Sequence, residues 1–391
     1  MTALSTISPR QNFKLNKWFV IICLALLSIY PIYRNFYYSS ANLTYERHIA
    51  IMEKRSDFYN PWQYRVLIPF INEGLYWVYN HTIDKVFPIE EKIHFDFERT
   101  SGTVAQTDDF ITLMQTPGAI KYMIIFILMR WALNFLILYL AWKLWRHFIK
   151  SDWLAFFGIN FLALAMGNAV AIADLAFNTY ADIVFYLLTA LIIIEKRNRN
   201  WLIPISILAS FNRETGMLIP ALYFISQVDF SNFSLRNFSI KKIGWPKWNT
   251  WLFTSLLYVL FMAVFVYLRW YYGYRPQTDW KVPAGWPMLK LNLASAVAVK
   301  GYMELIGTFG ILPFIILYKF KQFPHLLKKW FLFLAPIWFL VHFISVPSYQ
   351  TRLFLVPIVV IFIPMVLWFI EKHILSLPNE KNTDTSLNQT A

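Results

Sequence analysis

Long apolar runs, each closed by a short polar cluster, make up most of the chain. Hydropathy predicts membrane-spanning helices at about 17–34, 121–142, 153–171, 174–194, 250–270, 303–319, 330–346 and 353–370. Most have roughly the 17–25 residues that a bilayer requires. Residues 201–226 form a further apolar stretch, interrupted by "NRET" at 212–215. No polar linker divides these runs and no internal repeat is evident, so residues 1–375 read as a single all-α transmembrane domain. The polar tail 376–391 reads as a disordered cytoplasmic extension.

Lys and Arg accumulate in cytoplasmic loops, and this bias assigns the sides. Arg10, Lys14 and Lys17 precede the first helix without an acid, so the N-terminus is inside. Segment 35–120 carries seven Lys/Arg against eleven Asp/Glu, a balance of −4, and is the large first outer loop. Basic groups at Lys143, Arg146 and Lys150, in "EKRNRN" (195–200), at Arg236, Lys241, Lys242 and Lys247, and at Lys319, Lys321, Lys328 and Lys329 lie inside. Residues 271–302 form a second outer loop with interfacial helical character.

Segment 201–226 therefore begins and ends inside. A single span would emerge on the wrong side, so the chain is expected to double back as two short helices, about 201–211 and 215–226, with the charges at the apex. This brings the count to about ten helices with both termini cytoplasmic. At 1.5 Å per residue each arm reaches only ~15–17 Å. Charged, irregular backbone at that depth is tolerated only against protein or a water-filled cavity. Arg213 and Glu214 are thus expected to line a cavity open to the outside.

Composition narrows the classes of function. The chain of 391 residues is 58% hydrophobic and 15% charged, against roughly a quarter charged in soluble domains. The net charge of +14 is explained by cytoplasmic loops, and no nucleic-acid motif accompanies it. The single cysteine, Cys23, supports neither a disulfide nor a metal site. The first apolar run ends in Tyr30, Pro31 and Tyr33 without a small-residue cleavage site, as in a retained anchor. Walker, HExxH, paired-cysteine and GxSxG motifs are absent.

Ionisable residues in membrane helices cost at least ~2.5–3.5 kcal/mol on insertion scales, so they mark functional candidates. Arg213 and Glu214 are the first; the alternative is an ion pair that only locks helices together. Asp174, Asn178 and Asp182 recur every fourth residue and form one polar stripe on the outer half of a helix. Asp174 also fits an acid at a solvated helix start; Asp182, two turns deeper, does not. In "RSDFYNPWQYRVLIPFINEGLYWVYN" (55–80), Tyr64, Leu67, Ile68, Ile71, Leu75 and Val78 form one face of an amphipathic helix lying on the outer leaflet, bent at Pro69. Arg65 and Asn72 share its other face, where Arg65 either binds substrate or snorkels to lipid phosphate. Arg352, at the outer end of the last helix, either serves the same cavity or anchors the interface. Arg130 lies mid-membrane and requires a partner. Glu46 and Asp57 are the outer-loop acids nearest membrane-anchored sequence; Asp96, Glu98, Asp108 and Asp109 read as solvated loop charges.

The order of these features resembles the GT-C superfamily of integral-membrane glycosyltransferases. The resemblance is carried by a first helix followed by a large outer loop with amphipathic helices, and by "TYADIVFYLLTALIIIEKRNRNWLIPISILASFNRETGMLIPALYF" (179–224). It extends over residues 15–226. "PWQYRVLIP" and "FNRETG" also resemble uncharacterised bacterial membrane proteins close to these enzymes. The resemblance implies sugar transfer from a polyprenyl-phosphate donor to a glycan, lipid or protein acceptor outside the membrane. It also implies a catalytic acid early in the first outer loop, for which Glu46 and Asp57 are the candidates. No Asp directly follows the first helix, which departs from the family pattern. Arg65, Arg213 and Arg352 would hold the donor phosphate. Asp182 and Glu214 would orient those arginines or hold a divalent cation. A transporter or flippase for a lipid-linked or anionic substrate, and a polysaccharide polymerase or ligase, share these features. The membrane expected is the bacterial cytoplasmic (inner) membrane.

Cysteines introduced at 212 to 215 are expected to react with impermeant reagents from the non-cytoplasmic side only. Labelling from the cytosol alone would overturn the predicted threading.

Overall fold

The computed structural model describes residues 15–38, 41–54, 62–93, 111–169, 176–230, 243–273 and 282–375. Asp57, Asp174, the acids at 96, 98, 108 and 109, and the tail 376–391 lie outside them. Apart from one isolated bridge between Asp229 and Gly244, the described residues are helical or irregular. Six helices are long and apolar enough to cross a membrane, or seven if one bent pair counts as a span. This is the pattern of a polytopic membrane protein.

The first span is broken: α1 (Lys17–Leu27) and α2 (Ile29–Tyr38) meet at Ser28. The backbone carbonyls near the break are taken by the next long helix, α5 (Ala119–Trp145): Trp131 Nε1 donates to Ala25 at 3.1 Å and Asn134 Nδ2 to Ser28 at 2.9 Å. These bonds satisfy carbonyls where the helical pattern is interrupted at Ser28, as an apolar medium requires. Between them lie α3 (Ala41–Met52) and α4 (Leu67–His81). In α4 Phe70, Ile71, Leu75, Trp77 and Val78 are exposed while Ile68, Asn72 and Tyr79 are buried, as expected of a helix whose apolar side meets lipid. Pro69 does not bend it. Proline sits in the first turn, where its missing N–H had no intrahelical partner to lose. Tyr64 belongs to a separate 3-10 turn, Trp62–Tyr64.

Two enclosed helices organise the bundle: α7 (Ala176–Ile194) and the last span, α15 (Thr351–Leu375). Both are buried over most of their surface, the position of a helix surrounded by others. The 18-residue α6 (Asp152–Ala169) packs between α15 and α5; a side chain at Gly158 would strike Leu367 and Trp145. In α15 a π-helical stretch, Ile358–Phe362, follows Pro357, and the carbonyl of Val359 accepts from Trp145 Nε1 at 2.9 Å.

The segment after α7 doubles back. Two arms, α8 (Leu202–Asn212) and α9 (Leu218–Gln227), are joined by Arg213 in extended conformation and a 3-10 turn, Glu214–Met217. Each arm opens with Leu-Ile-Pro, again placing proline in the first turn. The neighbouring helix α10 (Trp248–Tyr272) records the reversal. Arg199, before the first arm, lies over the Phe253 ring at 4.7 Å, and Tyr223, in the second, contacts the same ring at 5.7 Å. The apex instead reaches Phe261 through Gly216 and Arg269 through Glu214. Phe261 lies about 20 Å along α10 from Trp248 at 1.5 Å per residue.

At the end of the bundle away from this apex, Lys143, His147 and Arg197 surround Glu195, and Arg146 pairs with Asp152 at 2.9 Å. These two basic loops thus share one end, and the hairpin apex lies towards the other.

Beyond α10 come α11 (Trp286–Ala294), α12 (Ala296–Phe309) and α13 (Leu312–Tyr318), then α14 (His325–Ser345). The single helix expected at 303–319 is instead two helices bent by 71° at Gly310, whose φ of 55° and ψ of −134° suit glycine alone. The first begins earlier than hydropathy places it, because Ser295 caps it and Lys300 and Glu304 occupy its opening turns. Asn292 ties the loop down. Its Nδ2 donates to the carbonyls of Phe343 and Val346, each at 2.8 Å, and its Oδ1 accepts from Ser348 N at 2.9 Å.

A Cβ at Gly216 would lie 2.8 Å from Ala209 Cβ and 3.1 Å from both the Ala209 carbonyl and Phe261. Gly216→Ala is expected to lower stability by about 1–3 kcal/mol through overpacking, read as a lower Tm in detergent. Gly74→Ala, where the added carbon meets nothing within 4 Å, should not lower it.

Candidate functional site

The hairpin apex gathers charge from four distant parts of the chain. Asp182, one-third of the way down α7, is fully buried, and its Oδ2 accepts from Thr215 Oγ1 at 2.7 Å. Arg213 approaches the same oxygen at 3.8 Å and donates to Thr179 Oγ1 at 3.4 Å. The Tyr186 hydroxyl donates to the Thr215 carbonyl at 2.6 Å, and Asn212 Nδ2 donates to the Asn178 carbonyl at 2.8 Å. The apex is therefore clipped to α7 along two turns of that helix.

Glu214 points the other way. Arg65 Nη2 meets one of its oxygens at 3.0 Å and Arg269 Nη2 the other at 3.4 Å. Arg269 lies over the rings of Phe265 and Tyr64, at 3.3 and 4.4 Å, which holds its guanidinium plane in place. The Tyr64 hydroxyl donates to the Gly273 carbonyl at 2.8 Å and ties the 3-10 turn to the end of α10. The Glu214 side chain is 31% exposed whereas that of Arg213 is 4% exposed, so the apex has one partly exposed carboxylate and one buried guanidinium.

Hydrogen-bonding capacity is left over in the buried half. Asp182 Oδ1, Arg213 Nε, Asn178 Oδ1 and Asn212 Oδ1 are enclosed without hydrogen-bond partners among the described residues. Leaving such groups unmet costs about 1–3 kcal/mol each, more for charged ones, so this half of the apex carries polar groups that the fold itself does not satisfy. The carboxylates fit a metal ion poorly. Asp182 Oδ2 is engaged by Thr215 and Arg213, both Glu214 oxygens meet arginines, and among the described residues no three His, Cys, Asp or Glu side chains are arranged for one.

Of the residues singled out from sequence, Arg65, Asp182, Arg213 and Glu214 come together. Arg352 stands apart from this cluster. It is buried on the 3-10 turn Thr351–Phe354, where Nη2 donates to Gln350 Oε1 at 3.0 Å, and it shares the surroundings of Tyr180 with Arg130. Arg130 lies over the Phe177 and Tyr180 rings at 4.6 and 5.8 Å. Glu46 is exposed on α3 and Asp57 lies outside the described residues. Asn72 does not accompany Arg65. It lines a separate cavity of about 40 Å³ with Thr44, Arg47, His48, Phe126 and Asn178.

Sequence reasoning missed Arg269, Thr179, Thr215, Tyr186 and the cavity residue His48. Arg269 carried a signal, a cation within "VYLRWYYGY" at the outer end of a span, yet it reads equally as a boundary charge. The hydroxyls carried none, since Ser, Thr and Tyr are common in apolar helices.

The chain matches no protein-family model, no curated protein and no solved structure. The site is therefore read from its own chemistry.

Arg213→Ala strands the Asp182 carboxylate and is expected to cost about 3–5 kcal/mol. Adding Asp182→Asn should recover much of that loss. Thermal unfolding midpoints of both variants in detergent give the test.

Proposed function

We propose that the protein is a membrane glycosyltransferase of GT-C type. It takes a sugar from a lipid-phosphate donor and passes it to an acceptor hydroxyl on the non-cytoplasmic face. The observation that carries this reading is the convergence of Arg65, Arg213 and Arg269 on the hairpin apex, beside buried polar atoms with unused hydrogen-bonding capacity. Guanidinium groups bind phosphate in two-pronged geometry and keep their charge when buried. As the glycosidic C–O bond breaks, negative charge grows on the departing lipid phosphate. Cations held in advance by ion pairs stabilise that charge without reorganising.

In this mechanism Glu214 holds Arg65 and Arg269 in register before the donor arrives, and Asp182 does the same for Arg213. The donor phosphate then adds to a ready-made cationic wall. About ten membrane helices, both termini in the cytoplasm of a bacterium and a polyprenyl carrier belong to this same reading. The amphipathic α4 suits it, since a lipid-linked donor enters from the bilayer surface.

A transporter for an anionic or lipid-linked substrate is the second reading, favoured by one observation: α12 and α13 form a broken helix pair besides the hairpin. Transporters place paired helix breaks around their substrate. The break at Gly310, however, sits beside Phe309, which packs on Phe339, Phe354 and Phe362. It offers no charge to a substrate, unlike the apex at Arg213.

The test is transfer of labelled sugar from polyprenyl-phosphate donors by purified protein. Arg65→Ala and Arg213→Ala are each expected to lower kcat/KM on the order of 10²–10³-fold, as loss of a charge-stabilising donor does. Arg352→Ala should cost less. Glu46→Gln and Asp57→Asn run beside them to examine the outer-loop acids. Wild-type protein that moves donor across vesicles without transferring sugar would replace the first reading with the second.

A further inference from the structure

The reaction just proposed needs a group to take the proton of the acceptor hydroxyl. Glu214 is held between two arginines, and Asp182 faces Thr215 and Arg213. Neither is a ready base. Around the cavity between α3, α4, α5 and α7 the side chains are arranged differently. His48 lines it, and His48 Nε2 lies 2.7 Å from Glu73 Oε1. The Tyr122 hydroxyl donates to the same Glu73 oxygen at 2.8 Å. Three elements therefore meet at one carboxylate: His48 from α3, Glu73 from α4 and Tyr122 from α5.

The carboxylate fixes the imidazole. With Nε2–H donated to Glu73, the neutral ring keeps its lone pair on Nδ1, which has no hydrogen-bond partner among the described residues. The rings of Tyr122 and Phe126, at 5.1 and 5.2 Å, pack against the imidazole and prevent it from turning. A carboxylate that sets the tautomer of a histidine and steadies its protonated form is the arrangement by which imidazole serves as general base. A cavity of about 40 Å³ takes one water or the hydroxyl end of a larger molecule, far below the ~300 Å³ and more of a site that encloses a ligand.

The cavity adjoins the arginine cluster. Asn178 contributes its side chain to the cavity and its carbonyl to Asn212, the residue before Arg213. Thr179, the next residue, accepts from Arg213. Ile68, on the cavity wall, is three residues from Arg65.

We propose that His48, oriented by Glu73, is the proton acceptor of this protein, acting on a hydroxyl presented in that cavity. The inference rests on the glycosyl-transfer reading for its reaction. The acceptor oxygen forms a bond to the anomeric carbon, and the bond from that carbon to the phosphate oxygen breaks with its electron pair. The hydroxyl proton passes to His48 Nδ1, and the phosphate leaves as an anion among the arginines. His48 contacts Glu73 from α4 and Tyr122 and Phe126 from α5, and it shares the cavity wall with Arg47 from its own helix, Asn72 from α4, and Phe177 and Asn178 from α7. Burial pushes the imidazole below its ordinary pKa, and the hydrogen bond and charge of Glu73 offset part of that shift. The ring is therefore neutral, in its base form, at neutral pH. A lowered histidine pKa also means stability declines as pH falls below the unfolded value of about 6.5 and the buried ring is forced to charge.

Two measurements on the full-length protein in nanodiscs test this. The first follows the His48 ¹³Cε1 resonance, assigned by its loss in His48→Gln, between about pH 4 and pH 8. A midpoint below about 6.5 that moves further down in Glu73→Gln supports the proposal. A resonance that does not titrate overturns it, because a ring sealed from protons cannot serve as base. The second is the pH profile of sugar transfer. Wild-type activity should fall on the acid side with the same midpoint. His48→Gln should lose at least about 100-fold in kcat and the acid limb with it, while its Tm stays close to wild type. His48→Gly should regain activity with added imidazole. Undiminished transfer by His48→Gln overturns the inference and leaves the glycosyltransferase reading intact. Wild-type protein inert towards every donor removes that reading, and with it the reaction assigned to His48.

Discussion

A carboxylate and a guanidinium buried in an apolar bundle must be satisfied by each other and by nearby dipoles, and this constraint governs the architecture. Asp182 and Arg213 are both buried. In low dielectric the cost of desolvating them is recovered only when partners are fixed at close range. Thr179, Thr215 and Tyr186 supply those partners, or brace the backbone that carries them. The reversal of the chain at residues 213–217 follows. An extended arginine followed by a tight 3-10 turn delivers Thr215 and Arg213 to one helix and Glu214 to two arginines on the other side.

α7 is the common element. Its successive faces meet the small cavity at Asn178, the apex at Thr179 and Asp182, and the Arg130–Arg352 region at Tyr180. Lower down, Tyr186 packs edge-on against Trp338, whose indole donates to the Leu353 carbonyl at 2.6 Å. One helix thus separates two cationic environments, which explains why three arginines that look equivalent along the chain divide between them. Periodicity within a helix is visible in sequence; which neighbour each face meets is not.

The large features were legible because they follow from solvent. Apolar runs, basic loops and the inconsistency of a single span at 201–226 all reflect what a bilayer accepts. The reversal itself was readable, since an apolar segment with basic loops at both ends is interrupted midway by "NRET". The helix boundaries at 296 and 310 were less so. Lys300 and Glu304 suppress local hydropathy at the start of α12, and the bend at Gly310 depends on one backbone conformation. Within the site, the ionisable residues inside apolar sequence stood out, whereas Arg269 and His48 did not. Their significance comes from partners distant in the chain, Glu214 and the Tyr64 ring for the first and Glu73 for the second. Glu73 and Tyr122 sit in sequence that reads as interface and as the start of a span.

The Asn292 side chain has a mechanical consequence. Its amide grips two carbonyls at the end of α14 and the amide of Ser348, and Gly285 N donates to Ile344 O at 2.6 Å from the same loop. α11 is thereby coupled rigidly to the turn that leads into Gln350 and Arg352. The approach to the final helix and the loop before it thus hang on one side chain, so neither can shift without breaking bonds of the other.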